Sequence, residues 1–181
     1  MNLREALALG CGKLSQSAVH EAVARRQSKA RCEAHNLKRR IPVNEAESLF
    51  GDDHVRRYQE TGGAVGHIWR EGSTILLLTT TGRKSGERRT SPLIYAQDGD
   101  RYVIVASKGG APEHPGWYQN LEKTPEVELQ VKDQVFRARA HTVHGEERAR
   151  LWRKANEVWR YYDDYAKKTD REIPVVVLER V

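Results

Sequence analysis

The sequence has few features that would cross-link the chain or carry it through a membrane. It holds two cysteines, Cys11 and Cys32, which are too few for a disulfide framework or, by themselves, for a four-ligand zinc site. The longest compact apolar run extends only from Ile75 to Leu78, whereas a membrane-spanning helix needs about 18 apolar residues. These absences exclude a disulfide-stabilised scaffold and a helical membrane protein.

The start of the chain lacks a convincing secretion signal. Arg4 and Glu5 are followed by an apolar stretch over residues 6–11, which is shorter than the apolar region of a usual signal peptide. We therefore expect a cytoplasmic protein whose cysteines are reduced.

The positive charge is concentrated in the first part of the chain. The formal net charge is +6, and residues 1–50 hold nine basic but only five acidic side chains. We predict a basic N-terminal extension over residues 1–50, disordered or partly helical, and one domain over residues 51–181. The nearly neutral domain disfavours nucleic acid as a partner and favours one local basic site.

Short β-branched and aliphatic runs alternate with turn residues through the second part of the chain. Strands are predicted over residues 66–70, 74–81, 89–96, 102–107, 127–131, 135–141 and 173–178. Helices are predicted from Asp52 to Gly62, over residues 115–122 and over residues 146–161. Pro92 indicates an edge or a bulge in its strand. This pattern predicts a mainly β (α+β) fold, a small barrel with helices across its openings.

Basic residues cluster in the predicted turn between two strands. Residues 81–89 are Thr-Gly-Arg-Lys-Ser-Gly-Glu-Arg-Arg, and their cations and hydroxyl are those of Arg83, Lys84, Arg88, Arg89 and Ser85. Glycines permit a tight turn and close backbone approach, arginine can bind a phosphate through two parallel hydrogen bonds, and lysine acts as a point charge. The spacing is not that of a Walker loop. An anion site and a solvated basic hairpin both fit this composition.

A second candidate segment follows a predicted buried strand. Ser107, Lys108 and Gly109 lie there, followed by Gly110. Consecutive glycines allow a ligand to approach the backbone closely, and an ordinary glycine-rich turn is the alternative. Trp117, a little further along, is predicted to pack into the core.

Three aromatic residues near the end of the last predicted helix form a third candidate. Trp159, Tyr162 and Tyr165 are spaced three residues apart, so on a helix they share a face. They could line an apolar pocket in which a tyrosine hydroxyl donates a hydrogen bond to a ligand. Aromatic core packing explains the same spacing.

Motifs for metals and nucleic acids are missing from the sequence. His141 and His144 have no cysteine or acidic partner at metal-binding spacing. The sequence contains no G-x-S-x-G, H-E-x-x-H or G-x-G-x-x-G. The predicted strands are aliphatic, unlike the strands of sheets that stack RNA bases on aromatic residues. We therefore expect no metal and no nucleic-acid partner.

Several segments occur in an order that resembles a known family. They are LLLTTTGRKSGERRTSPLIY (76–95), VASKGG (105–110), HPGWYQNL (114–121), YDDY (162–165) and TDREIPVVVL (169–178). Together they resemble the deazaflavin-dependent nitroreductases, which are coenzyme F420-dependent oxidoreductases common in mycobacteria and related actinobacteria. The resemblance covers about residues 52–181 and leaves residues 1–50 outside.

The resemblance implies a split β-barrel related to flavin-binding reductases. It also implies a bound 8-hydroxy-5-deazaflavin, coenzyme F420, with an anionic phosphate and oligoglutamate tail. The family's cofactor contacts correspond by motif position to Arg83, Lys84, Ser85, Gly86, Arg88 or Arg89, Pro92, Ala106, Ser107, Lys108 and Gly109. Its substrate pocket corresponds to Trp159, Tyr162 and Tyr165. Trp159 stands where the family often has a tyrosine, so the shape of the pocket is expected to differ.

The activity implied by the resemblance is hydride transfer from reduced F420 to a quinone, a nitroaromatic compound or an enone. Carbon at position 5 of a deazaflavin favours hydride transfer over one-electron chemistry. Ser107, the hydroxyl of Tyr162 or Tyr165, or water would supply the accompanying proton. The protein would mainly supply orientation and electrostatics.

Other functions stay open at this point. FMN is the alternative cofactor, since a basic loop alone does not separate two phosphorylated cofactors. A non-catalytic deazaflavin- or lipid-binding barrel and a nucleic-acid binder acting through residues 1–50 are the alternative functions. The expected partner is a small-molecule electron acceptor, and the expected state is a monomer or homodimer in the cytoplasm. Peripheral association with the inner face of the cell membrane is a further option.

Overall fold

Within the described part of the chain, six strands close into one antiparallel barrel. A computed structural model describes residues 43–181, and its strands follow the order β1-β2-β3-β6-β5-β4 around the barrel. They are β1 (Ile75–Thr81), β2 (Arg88–Asp98), β3 (Arg101–Val105), β4 (Glu126–Val131), β5 (Gln134–Val143) and β6 (Val175–Arg180). The mainly β barrel with helices predicted from the sequence is confirmed.

Strand β1 shows how the two faces of the barrel wall are buried. Leu76 and Leu78 pack in the interior cluster of the barrel, whereas Ile75 and Leu77 pack outside it against Tyr58. Successive side chains of a strand point to opposite faces. A strand covered on both faces therefore needs a continuous apolar run, which is what residues 75–78 provide.

Helices cover the outer faces of the barrel and one of its openings. Those described are α1 (Val43–Ser48), α2 (Gly51–Glu60), α3 (Gly116–Lys123), α4 (Gly145–Val158) and α5 (Tyr162–Ala166). Helix α3 adds Tyr118 and Leu121 to the interior cluster and so closes an opening, as predicted. Helix α2 instead covers the outside of β1 through Tyr58, and α4 packs Leu151 on the outside of β3 and β6.

Pro92 lies where its strand has one neighbour. Strand β2 pairs with β1 over residues 88–94 and with β3 only over residues 95–98. A proline has no backbone N–H to donate and therefore suits a strand edge. The edge predicted from Pro92 is confirmed, and the open side of β2 at this point leaves room for the cavities described below.

Two predicted elements differ from the structure. Residues 66–70 do not form a strand, because only Ile68 pairs, in an isolated bridge with Thr74, and Gly66 has a positive φ of 91°. The helix predicted over residues 146–161 ends at Val158, and α5 starts as a separate helix at Tyr162. The break coincides with stacking of Trp159 on Trp69, at a centroid distance of 5.8 Å, so a tertiary contact overrides the helical pattern.

The last residues of the predicted N-terminal extension contact the barrel domain. Glu45 forms an ion pair with Arg57 at 2.5 Å, and the indole of Trp69 donates a hydrogen bond of 3.1 Å to the carbonyl oxygen of Leu49. The remainder of the predicted extension, with both cysteines and the prediction that it is disordered or partly helical, lies outside the described residues. The domain boundary at residue 50 stays a prediction.

A network of charges centred on Asp98 attaches α4 to the barrel. Arg150 donates two hydrogen bonds to the Asp98 carboxylate at 2.8 and 2.9 Å, Arg101 donates one at 2.6 Å, and Lys154 donates one at 3.0 Å. These hydrogen bonds, from Arg150 first, then Arg101 and Lys154, hold the pKa of the Asp98 carboxyl well below its usual range. The network fixes the helix that leads to Trp159.

We expect Asp98→Asn to lower the free energy of unfolding at neutral pH by about 2 kcal/mol, because charge-assisted hydrogen bonds are lost. A carboxylate with a depressed folded-state pKa stabilises the protein fully above its unfolded pKa of about 4 and loses that contribution as the pH falls below it. Urea unfolding at several pH values measures both effects, with Asp100→Asn on the same turn as the control. An equal acid dependence in wild type and Asp98→Asn would contradict the assignment.

Candidate functional site

The basic loop between β1 and β2 is a tight turn that depends on its glycines. The Gly82 N–H donates to the Glu87 carbonyl oxygen at 2.7 Å, and the Gly86 N–H donates to the Gly82 carbonyl oxygen at 2.8 Å. A Cβ atom on Gly82 would lie 2.9 Å from Ser85 Oγ, and Gly86 has a φ of 74°. The turn therefore tolerates side chains poorly at both glycines.

Helix α3 holds this loop from the side. The Arg83 N–H donates to Asn120 Oδ1 at 3.0 Å, Asn120 Nδ2 donates to Thr80 Oγ1 at 3.0 Å, and Lys123 Nζ donates to the Arg83 carbonyl oxygen at 2.9 Å. The Asn120 side chain is buried. Its role was missed in the sequence, where it appears only as one letter of the HPGWYQNL segment.

A cavity of about 470 Å³, here called the basic cavity, opens beside the loop. Its lining comprises Thr80, Gly82, Arg83, Lys84, Ser85, Arg89, Ser91, Gly116, Trp117 and Asn120. Arg88 lies outside this lining and forms an ion pair with Glu128 at 2.6 Å. The strand therefore separates the two neighbouring arginines, because consecutive residues point to opposite faces.

A second cavity of about 430 Å³, here called the aromatic cavity, adjoins the first. Its lining comprises Phe50, Gly51, His54, Trp69, Ile75, Pro92, Leu93, Ile94, Val105, Ser107, Lys108, Gly109, Pro115, Trp117, Trp159, Tyr162 and Tyr165. Trp117 belongs to both linings and also packs against the interior cluster. Trp117 therefore contacts the core, as predicted, and is also the residue that the two cavities share.

The three aromatic residues singled out in the sequence do line one cavity, although they belong to different elements. Trp159 follows the end of α4, whereas Tyr162 and Tyr165 lie on α5. Tyr162 is 4% exposed, and burial, with a smaller contribution from Tyr165, raises the pKa of its hydroxyl. Within residues 43–181, no hydrogen-bond partner is found for the Tyr162 hydroxyl, which is thus a protonated donor at neutral pH.

Two tryptophans from distant parts of the chain close one side of the aromatic cavity. The Trp69 and Trp159 rings stack with an interplanar angle of 29°. Arg70 lies over the Trp69 ring at 4.7 Å, and the Tyr161 hydroxyl donates a hydrogen bond of 2.6 Å to Glu71. These contacts join the segment before β1 to the break between α4 and α5.

Arg171 organises the loop that leaves β3. Its guanidinium donates hydrogen bonds to the carbonyl oxygens of Ala111 at 2.9 Å, Ala106 at 3.1 Å and Ser107 at 2.9 Å. A Cβ atom on Gly110 would lie 2.7 Å from the carbonyl oxygen of Tyr165, so glycine lets this loop pack closely against α5. The loop thereby presents Ser107, and its neighbours in the lining, to the aromatic cavity.

The structure brings together most of the residues predicted for the site. Those in one or both linings are Arg83, Lys84, Ser85, Arg89, Pro92, Ser107, Lys108, Gly109, Trp159, Tyr162 and Tyr165. Gly86, Arg88 and Ala106 are absent from both linings. Gly86 shapes the turn, Arg88 pairs with Glu128, and the Ala106 side chain is buried in the interior cluster.

Three lining residues had no signal in the sequence. Phe50, His54 and Trp69 reach the aromatic cavity from α2 and its flanking segments. Nothing in the spacing of residues 50–69 predicts proximity to residues 159–165, and only the packing of α2 on the barrel brings them together.

Metal-binding clusters and membrane-spanning helices are not features of residues 43–181. In that range, no group of three or more His, Cys, Asp and Glu side chains is placed to hold a metal ion. Across the same residues, no helix is both long and apolar enough to cross a membrane.

Comparison with known proteins places this geometry in a family. The model of the F420H(2)-dependent quinone reductase family matches residues 52–180. A Mycobacterium tuberculosis protein described as an F420H(2)-dependent quinone reductase is 47% identical over 130 residues, which cover 70% of this chain and 87% of the relative.

Solved structures agree with the fold. A structure described as an F420-H2 dependent reductase (FDR-A) has 45% sequence identity and a TM-score of 0.55, covering 58% of this chain and 93% of its own. Another, described as a domain-swapped dimer, has 41% identity and a TM-score of 0.57, covering 70% of this chain and 98% of its own. The monomer or homodimer predicted here stays a prediction.

The family match covers most of the barrel domain, including the basic loop and the aromatic segment, and agrees with the resemblance drawn from the sequence motifs. The chain belongs to the F420H(2)-dependent quinone reductase family.

Proposed function

We propose that this protein is an oxidoreductase that uses F420H2 to reduce quinone-type acceptors. One observation carries the proposal: a cavity lined by cations adjoins an apolar aromatic cavity at Trp117. F420 combines an anionic phosphate and oligoglutamate tail with a planar ring, so its two parts match the two cavities. The residues present therefore fit this cofactor.

The basic cavity supplies the binding of the anionic part. Arg83, Lys84 and Arg89 provide cations, and Ser85 provides a hydroxyl. Charge-assisted hydrogen bonds to phosphate or carboxylate are about twice as strong as neutral ones. Asn120 positions the loop without itself needing to contact the cofactor, since both ends of its amide bond to protein groups.

The aromatic cavity supplies orientation and a dry environment for the reaction. When bound, reduced F420 supplies a hydride. Trp69, Trp159 and Tyr165 provide apolar walls that exclude water, which strengthens electrostatic interactions inside. Tyr162 donates a hydrogen bond to the acceptor oxygen that gains negative charge, and Ser107, in the same lining, is a second donor for that oxygen. The proton that completes the hydroquinone comes from solvent.

The direct test is anaerobic turnover. Purified protein, F420H2 and 2-methyl-1,4-naphthoquinone are mixed, and the return of oxidised F420 is followed by its absorbance. We expect F420H2 to be oxidised faster than in the protein-free mixture. With reduced FMN in place of F420H2, we expect the protein to accelerate the oxidation little over the matching protein-free mixture. Saturable F420 binding without any acceleration would favour a non-catalytic deazaflavin-binding barrel instead.

The hydrogen bonds of Asn120, which connect the Arg83 loop to Thr80, lead to a prediction about F420 binding. Asn120→Ala is expected to weaken F420 binding about two- to tenfold, because the Arg83 loop loses a neutral hydrogen bond. Fluorescence titration with F420 measures the affinity, and Gln119→Ala is the control, since Gln119 bonds to the His114 carbonyl oxygen outside the loop. Unchanged F420 affinity in Asn120→Ala would show that the hydrogen bonds of Asn120 are dispensable for cofactor binding.

We further propose peripheral contact with a lipid surface at the mouth of the aromatic cavity. Phe50 is 72% exposed, lines this cavity and has its ring centroid 6.4 Å from that of Trp69. Ile68, the residue before Trp69, is 53% exposed, and the exposed Arg70 lies over the Trp69 ring. Exposed aromatic and aliphatic side chains next to arginine suit a membrane interface. Flotation with anionic phospholipid vesicles is expected to carry the protein, but not its Phe50→Ser/Ile68→Ser variant. Equal flotation of both would contradict this contact.

A further inference from the structure

The aromatic cavity contains one buried titratable group that the mechanism above does not use. His54 lies on α2, is 2% exposed and lines the cavity near Trp69, with a ring-centroid distance of 6.2 Å. Most of the lining around it is apolar or aromatic. A polar ring in such a wall needs a partner for each of its nitrogen atoms.

One nitrogen has a partner that fixes the tautomer. His54 Nε2 lies 2.8 Å from the carbonyl oxygen of Gly66. A carbonyl oxygen can only accept, so Nε2 carries the proton and Nδ1 carries a lone pair. Gly66 is suited to this contact because its φ is 91°, and a Cβ atom there would lie 2.7 Å from His54 Nε2.

The other nitrogen is unpartnered within residues 43–181, because no hydrogen bond to His54 Nδ1 is found there. The Nε2–Cδ2 edge of the ring faces Gly66, with both atoms within 2.9 Å of the position that a Gly66 Cβ would take. Nδ1 is the ring vertex opposite that edge and is therefore directed away from Gly66. Burial lowers the pKa of His54, which keeps the ring neutral and the lone pair available.

We propose that His54 determines acceptor specificity by accepting, at Nδ1, a hydrogen bond from a hydroxyl group on the acceptor. This rests on the proposed function in one respect, namely that the aromatic cavity holds the acceptor. Acceptors that carry a neutral O–H on their ring substituent bind better than isosteres that carry a methyl group. The hydroxyl group donates a hydrogen bond to the Nδ1 lone pair, whereas the methyl group leaves the lone pair without a partner. An unpaired polar atom in a buried site costs free energy.

The matched ligands are 2-hydroxymethyl-1,4-naphthoquinone and 2-ethyl-1,4-naphthoquinone, which differ only by OH against CH3. Binding is measured without cofactor, through quenching of the fluorescence of Trp69 and Trp159, which line the same cavity. Wild type is expected to bind the hydroxymethyl compound about two- to tenfold more tightly, the range of one neutral hydrogen bond. This readout does not depend on turnover, so it separates this proposal from the proposed activity.

Two variants locate the preference. His54→Phe keeps a planar ring without nitrogen and is expected to abolish the preference, whereas His54→Asn keeps an acceptor near the position of Nδ1 and is expected to retain part of it. Melting temperatures verify that both variants are folded. The proposal is overturned by a wild type that does not prefer the hydroxymethyl compound, or by a folded His54→Phe variant that keeps the full preference. If the folded His54→Phe variant kept the full preference, the hydroxyl group of the acceptor would be recognised by Tyr162 or Ser107 instead.

Discussion

Replacing Arg83 and Lys84 together by alanine is expected to weaken F420 binding about a hundredfold at low ionic strength. Both side chains line the basic cavity, and each charge-assisted contact contributes about 1.5 kcal/mol at the lower end of its usual range. Two such losses correspond to roughly a hundredfold in affinity. Fluorescence titration of wild type and variant with F420 measures the change.

Salt dependence and a neighbouring arginine provide the controls. Added salt screens exposed charges, since the Debye length is about 10 Å at 0.1 M, so wild-type affinity is expected to fall with salt and the double variant to respond less. Arg88→Ala removes a cation at the start of β2, next to the loop. Because Arg88 pairs with Glu128 outside the cavity, this variant is expected to change F420 affinity little. F420 binding that is independent of salt and unchanged in the double variant would show that the basic cavity is not the binding site.

Tyr162→Phe is expected to reduce turnover roughly ten- to a thousandfold, the usual effect of removing one or two polar interactions from a transition state. The substitution keeps the ring and removes only the hydroxyl, which has no protein partner within residues 43–181. F420 affinity is expected to remain nearly unchanged, because the cations proposed to bind its tail line the other cavity. Steady-state kinetics with F420H2 and a quinone, together with an F420 titration, measure the two quantities.

The alternative role of Tyr162 is structural, since its ring packs with Val105, Ala155 and Ile173. A purely structural tyrosine would lower the melting temperature and leave turnover per folded molecule unchanged. Tyr161→Phe is the matched control, because its hydroxyl bonds to Glu71 rather than to a ligand. Unchanged turnover of Tyr162→Phe beside a lowered melting temperature would assign this tyrosine to the core.

The barrel could be predicted because its strands carry their own signals. The run from Ile75 to Leu78 needs apolar cover on both faces. The strands predicted over residues 89–96 and 102–107 pair with each other, with Tyr95 opposite Ile104. Local sequence and tertiary structure agree here, so propensity and alternation are sufficient.

The end of α4 could not be predicted because it depends on a distant residue. The apolar positions Leu151 and Ala155 continue in helical spacing to Tyr162, yet the chain leaves the helix at Trp159. Its ring stacks on Trp69, which precedes β1. A contact between segments so far apart leaves no trace in the local pattern.

The candidate site also combines features that the sequence predicts with features that only the tertiary structure determines. Sequence composition placed four cations in one loop, but only the pairing of Thr80 with Arg89 and of Thr81 with Arg88 decides which arginine faces the cavity. His54 lies in a segment with no recognisable motif, and the motif that contains Asn120 gives no sign of its role. The positions of both residues follow from how α2 and α3 pack on the barrel. These residues are therefore found from the structure and not from spacing.

The central claim is that the two adjoining cavities hold a deazaflavin with a polyanionic tail. The measurement that tests it most directly is a parallel titration of the purified protein with F420 and with FMN, followed by the fluorescence of each cofactor. FMN has a phosphate but no oligoglutamate tail, so it offers fewer anionic groups to Arg83, Lys84 and Arg89. The account predicts saturable F420 binding that is tighter than FMN binding and weakens with salt. Tight FMN binding with no detectable binding of F420 would contradict it.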